Sequence, residues 1–215
     1  FDLRKGVTFH NGEKFDADDV VYTLTYISNP ENGAKPARNV NWWDSAEKLG
    51  DYKVRLNLTK EFPAALEFLS GPIVMYPNEY YAEVGPEGMA IKPVGTGPYA
   101  VTSVEPGKRY KFKKNDNYHA SSPKGQANIG KIVIRTIAES NTQLAELFSG
   151  GVDWIWKVKP DQAQRISAQG QFTVKNASTM RIGYLNFDAM GRHSENPMND
   201  VRVRRAIAHA IDRDG

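Results

Sequence analysis

Four histidines, His10, His119, His193 and His209, are the first candidates for acid–base or metal chemistry, and their spacing argues against both. They stand far apart, with no second histidine or carboxylate at the interval of a known ligand or catalytic motif. The patterns H-E-x-x-H, G-x-S-x-G and the phosphate-binding P-loop do not occur. Asp18 and Asp19 adjoin one another, but at the start of a helical pattern, where carboxylates complement the positive end of the helix dipole. Gly95-Thr96-Gly97-Pro98-Tyr99-Ala100 matches a dinucleotide fingerprint in spelling only. Such a loop must follow a strand and open a helix whose amides hold the pyrophosphate. Pro98 removes one of those amides, and Tyr99, Val101 and Val104 read as extended chain. We expect no catalytic residue, no metal site and no cofactor.

The aromatic residues are more informative. A site that grips flexible, chemically varied solutes needs flat apolar walls and a few polar anchors rather than acid–base pairs. Trp42-Trp43, Trp154 with Trp156, and Tyr184 could supply such walls. Core packing competes in each case, because tryptophan is mostly buried in globular proteins. Trp42-Trp43 follow a polar loop rather than a periodic stretch, which leaves both readings open. Trp154 and Trp156 share one face of a predicted strand and read first as packing against a helix.

The elements that must position these residues follow from periodicity. Residues 1–12 suggest a strand and a turn at Asn11-Gly12. A helix is predicted over about 17–28, with Asp16 as N-cap, Asp19 completing a capping box and Phe15 stapled onto Val20. Asn29-Pro30 ends it. Tyr52, Val54, Leu56 and Leu58 alternate with polar residues, as in a strand buried on one face. A short helix from Pro63 to Ser70 should bury Ala65, Leu66 and Leu69, and another lies within Pro77–Gly88. Pro93-Val94-Gly95-Thr96-Gly97-Pro98-Tyr99 cannot be helical, and marks a crossover between two parts of the chain. Strands follow at about 98–104 and 109–114, the second with lysines on a solvated face of the kind that discourages edge pairing. Ile132-Val133-Ile134 reads as a strand covered on both faces. Ser140 should cap a helix carrying Leu144, Ala145, Leu147 and Phe148, stopped by Gly150-Gly151. A strand with Val152, Trp154 and Trp156, a helix from Pro160, strands at 171–176 and 181–187 and a helix over 199–213 complete the reading. This alternation argues for an α/β fold with a mixed sheet.

Composition narrows the function classes. A net charge of +3 is too mild to argue for nucleic acid, and the basic run from Lys108 to Lys114 alternates with Tyr110 and Phe112 as a solvated strand would. The absence of cysteine removes disulfide and thiol chemistry. No apolar run approaches membrane-spanning length.

Four motifs, in order, carry a resemblance. Phe1-Asp2-Leu3-Arg4-Lys5-Gly6-Val7-Thr8-Phe9-His10-Asn11-Gly12 with Phe15-Asp16-Ala17-Asp18-Asp19-Val20-Val21 resembles the opening signature of the family 5 extracytoplasmic solute-binding proteins. Gly95-Thr96-Gly97-Pro98-Tyr99, Ser149-Gly150-Gly151-Val152-Asp153, and Asp200-Val201-Arg202-Val203-Arg204-Arg205-Ala206-Ile207 through Ala210-Ile211-Asp212-Arg213 are similar to three more. Each is weak alone; together they span nearly the whole chain. Family members are much longer at both ends, so we expect a fragment whose natural start, with any signal region, lies upstream.

The resemblance implies a type II periplasmic binding protein-like lobe with a mixed sheet and a small inserted domain, most of the second lobe being absent. Residues 1–92 would be the inserted domain, 93–184 part of the first-lobe sheet domain, and 185–215 the hinge and first helix of the second lobe. It implies capture of peptides or related solutes in the periplasm, or outside the cell on a membrane anchor, for an ATP-driven importer. The partners would be a small-molecule or peptide ligand and a membrane permease. Trp42, Trp43, Trp156, Tyr184 and Asn186 are the expected ligand contacts, the last two because the family chain crosses toward the second lobe there. The rival readings are a hydrolase-type enzyme and a chaperone-like interaction module. The stripe Val203, Ala206, Ile207, Ala210 and Ile211 would lack its second lobe, so an intermolecular contact through helix 199–213 is expected.

Overall fold

The computed structural model describes residues 1–34, 37–71, 73–179 and 183–212, which fall into two compact units, 1–155 and 156–215. The first helix, α1 (Ala17–Ser28), starts as its sequence dictates. The Asp16 side chain accepts from the Asp18 amide at 2.8 Å, and the Asp19 carboxylate accepts from the Asp16 amide at 2.9 Å. Both bonds satisfy donors that the helix itself cannot. Ala17, Val20, Leu24 and Ile27 are buried along one face. That face packs on a hairpin of β1 (Trp43–Gly50) and β2 (Lys53–Leu58), and a short α2 (Ala37–Val40) precedes the hairpin. Phe1–Leu3 extend the sheet along β2 through Leu3 N–H to Tyr52 O at 2.8 Å and Val54 N–H to Phe1 O at 3.0 Å. The expected opening strand is thus reduced to isolated bridges, and the Asn11-Gly12 turn is present with Gly12 at φ 95°.

Two helices close this layer. In α3 (Ala65–Ser70) none of the three expected residues is buried: Leu66 is 64% exposed, and Ala65 and Leu69 are half-buried against the core. The longer α4 (Asn78–Ile91) is two helical pieces meeting at Gly85 (φ 65°), followed by Pro86, whose ring removes a helix hydrogen bond. Its first amide, on Asn78, donates at 2.9 Å to the same Asp19 carboxylate that caps α1. Burial pushes the Asp19 carboxyl above the usual carboxylate range, and the amides of Asn78 and Asp16 pull it back. Thr23 Oγ1 accepts from the Tyr76 amide at 2.9 Å, a second tie between α1 and the chain entering α4.

Beyond residues 93–98 lies a second sheet, antiparallel in the order β3 (Tyr99–Glu105), β4 (Arg109–Lys114) and β5 (Lys131–Arg135). The lysine-faced β4 is its central strand, so its lysines are a solvated face and not an edge defence. β5 corrects the reading of a strand covered on both faces. It is an edge strand among the described residues, with Val133 and Ile134 more than half exposed. Next, α5 (Ser140–Phe148) buries Leu144 and Leu147, and its N-cap is Glu139 rather than Ser140, the carboxylate accepting from the Thr142 amide at 2.8 Å. Arg135 clasps Glu146 of α5 through both guanidinium nitrogens, at 2.7 and 3.0 Å, which holds the Glu146 carboxyl below its ordinary range.

In the second unit, α6 (Pro160–Ala168) starts on proline as predicted and buries Gln162 and Ile166. Residues 152–156, 171–176 and 183–187 form no strand, and residues 181 and 182, the start of the last expected strand, lie outside the described residues. A single 3₁₀ turn, Pro197–Asn199, leads into α7 (Val201–Ala210), capped by Asp200 through the Arg202 amide at 2.8 Å. No residue of α7 is buried; Val203 and Ile207 are half-buried, while Ala206, Ala210 and Ile211 are exposed. Arg213, the last residue of the fourth motif, lies outside the described residues.

Candidate functional site

The five expected ligand contacts divide sharply. Trp42 and Trp43 are 1% and 4% exposed, in the core formed by α1, β1 and β2. Their rings meet edge-to-face at 4.7 Å, Trp42 stacks on Phe62 at 4.8 Å, and its indole N–H donates to Asn39 O at 2.9 Å. Every polar and apolar part of Trp42 is thereby engaged by protein. The core alternative is where the structure puts this pair, for a reason hidden in the sequence. Trp43 opens β1, whose residues Trp43–Gly50 show no alternation and become a strand by pairing with β2.

Trp156, Tyr184 and Asn186 are on the surface of the second unit. Trp156 is 65% exposed and Tyr184 78%. Trp154, in the first unit, is 73% exposed, so the expectation that these tryptophans pack against a helix fails together with the strand that was to align them. The Lys157 ammonium lies 5.7 Å from the Trp156 ring centroid, within cation–π range. Lys157 also has φ 57°, unusual for a side chain with a Cβ, and it redirects the chain just ahead of α6. Tyr184, Leu185 and Asn186 are exposed in a segment without helix or strand. It ends at Asp188, whose carboxylate accepts from the Met190 amide at 3.4 Å and from Arg192 Nε at 3.1 Å. Asn196 Nδ2 donates to Asp188 O at 3.0 Å and closes that loop.

Among the described residues no three histidines or carboxylates gather where they could hold a metal ion. His119 sits 3.0 Å from an Arg4 nitrogen, and the His193 carbonyl accepts from Asn199 Nδ2 at 2.9 Å. Asp19 is a shared helix cap. Two apolar cavities of about 470 and 330 Å³ lie in the first unit, and none of the five expected contacts lines either.

One polar arrangement was missed at the sequence level. His10 reaches the Gly95-Thr96-Gly97 loop through its own amide, donating to Gly95 O at 2.8 Å, and through both ring nitrogens. The participants are 85 and 87 residues apart, so no local pattern could reveal it.

The profile of the bacterial extracellular solute-binding proteins, family 5 (middle region), matches residues 1–215. A glutathione-binding protein, GsiB, of Pectobacterium atrosepticum is 27% identical over 99% of this chain, which spans 40% of that relative. MoaA of A. tumefaciens R10, solved with mannopinic acid, superposes with a TM-score of 0.80 at 27% identity, over 99% of this chain and 42% of its own. NikA of Brucella suis, solved with Fe(III)-EDTA, does so with a TM-score of 0.75 at 28% identity, over 100% of this chain and 43% of its own. The chain thus spans about two fifths of the length of the proteins it matches, and its fold is that of part of a type II periplasmic binding protein. With the profile matched from the first residue to the last, the chain belongs to the family 5 bacterial extracellular solute-binding proteins.

Proposed function

We propose that this chain is part of the solute-binding component of an ABC importer, which captures peptides or related small solutes outside the cytoplasmic membrane and presents them to a membrane permease. The observation that carries the reading is the family match over residues 1–215. The solutes named for its relatives, glutathione, mannopinic acid and a chelated metal, are small and polar, as such an importer requires. In this reading Trp156 and Tyr184 are apolar walls, Asn186 is a polar anchor, and closure of two lobes shields the solute. The buried pair Trp42 and Trp43 supports the first unit from within. The protein binds and releases; it does not transform its solute.

The same reading divides the chain into an inserted domain (1–92), part of the first-lobe sheet domain (93–184), and the hinge with the first helix of the second lobe (185–215). The placement of one sheet before residues 93–98 and the other after supports the first boundary. The exposed stripe of α7 would make an intermolecular contact when residues 1–215 are isolated, supported by the exposure of Ala206, Ala210 and Ile211. Native mass spectrometry of solute retained through purification, followed by calorimetric titration of that solute, tests the function. Stoichiometric binding without turnover is the expected result; chemical conversion of the solute would overturn it. Residues 1–215 alone offer one wall of a cleft, so sub-micromolar affinity in this isolated chain would refute the division between lobes.

A further inference from the structure

The loop 93–98 joins α4 to β3, and His10 holds it by three contacts. The His10 amide donates to Gly95 O at 2.8 Å, the Gly95 amide donates to His10 Nδ1 at 3.3 Å, and Nε2 lies 2.9 Å from Gly97 O. A carbonyl oxygen only accepts and an amide N–H only donates, so the ring must carry its proton on Nε2 and leave Nδ1 bare. Asn115 reinforces the far end, its Nδ2 donating to Gly97 O at 3.1 Å and its amide to Pro98 O at 2.9 Å. The fold therefore selects one tautomer of a neutral imidazole.

We propose that His10 is a proton-sensitive latch on the loop 93–98, which holds the Gly95 amide when neutral and releases it when charged. Protonating Nδ1 places N–H against N–H at the Gly95 contact, converting a hydrogen bond into a repulsion, while the Nε2 bond to Gly97 O survives. The loop then stays tethered at Gly97 O and at Gly95 O, which still accepts from the His10 amide, and only the Gly95 amide is set free.

The surroundings leave this switch to His10. The ring lines the 330 Å³ cavity with Met75, Tyr76, Met89, Val94 and Val101. Of these only Tyr76 titrates, and burial pushes its phenol up, so it stays neutral throughout the range in which histidine changes charge. The side chain from the β4 end is the neutral Asn115. On the turn that bears His10, the charged groups are Glu13, whose carboxylate accepts from Asn11 Nδ2 at 2.7 Å, and Lys14, which bridges to Thr8 through its backbone. The latch is independent of which solute the protein binds.

Nuclear magnetic resonance of the 215-residue chain tests this directly. At about pH 8 the imidazole nitrogen shifts should report a bare Nδ1 and a protonated Nε2. On acidification to about pH 5.5, exchange of the Gly95 amide, corrected for its intrinsic pH dependence, should accelerate about five- to tenfold, in step with His10 protonation. His10→Gln can accept from Gly95 and donate to Gly97 without titrating, so its Gly95 protection should not change between the two pH values. The opposite tautomer at high pH, or wild-type Gly95 protection that ignores the charge on His10, would overturn the proposal. Because both wild-type measurements decide the matter, it remains testable if the variant does not fold.

Discussion

Replacing Trp42 with alanine separates a core tryptophan from a ligand-facing one. The side chain is 1% exposed, meets Trp43 at 4.7 Å and Phe62 at 4.8 Å, and donates its indole proton to Asn39 O. Truncation of a buried tryptophan costs about 3–5 kcal/mol. Each aromatic pair lost is worth about 0.5–1.5 kcal/mol beyond its area, and the hydrogen bond about 1 kcal/mol. These overlap with the truncation cost, so they place Trp42→Ala at its upper end, about 4–5 kcal/mol. With folding stabilities of about 5–15 kcal/mol for a domain, much of the margin goes. For a unit of this size the midpoint should fall by about 8–20 °C. Calorimetric melting with a urea titration reads this, and Trp42→Phe, which keeps a ring in place, should lose markedly less. A melting temperature within about 2 °C of wild type, with solute affinity lost, would put the ring against ligand and refute the packing argument.

Three further outcomes follow from the structure. Tyr184→Ala and Trp156→Ala should each weaken solute binding by about 1–3 kcal/mol in calorimetry if these rings are walls, while stability moves by about 0.5 kcal/mol or less because both are mostly exposed; unchanged affinity would remove them from the site. Glu146→Gln removes a carboxyl held low by Arg135, so the stabilisation it forfeits should be present above about pH 4.5 and vanish as the pH falls further. Denaturation of both proteins at a series of pH values checks the sign, and a gap that widens in acid would contradict it. Ile207→Asp in α7 should abolish any self-association seen by sedimentation of residues 1–215, and a dimer that survives it does not use the α7 stripe.

What was legible in the sequence depended on how far each interaction reaches. The capping box of α1 involves residues three apart, and Asp16 and Asp19 announce it before any fold exists. The β4 alternation of Tyr110 and Phe112 with lysines is equally local, and the structure keeps the lysines on the exposed face. Sheet position is not local. Ile132-Val133-Ile134 looked like a strand covered on both faces, but the same apolar run serves an edge strand when pairing is available on one side. β1 carries no pattern of its own and becomes a strand because β2 lies beside it, which hid the reason for burying Trp42 and Trp43. The His10 contacts to Gly95 and Gly97 are the extreme case. A lone histidine after a phenylalanine and before Asn-Gly contains nothing that points to a loop 85 residues away.

Asp19 has a mechanical implication. Its two oxygens receive the Asp16 amide at the start of α1 and the Asn78 amide at the start of α4. Both helices thus direct their positive ends at one carboxylate, and two termini that would repel each other acquire a common counter-charge. A displacement of the first turn of α1 must then carry the first turn of α4 with it, and the Thr23–Tyr76 bond resists rotation of one about the other. The compliant point along α4 is therefore its middle, where Gly85 and Pro86 already interrupt the helical ladder. Force applied to the far end of α4, where Lys92 leads into the loop that His10 holds, should bend the helix at Gly85 before it loosens the joint at Asp19.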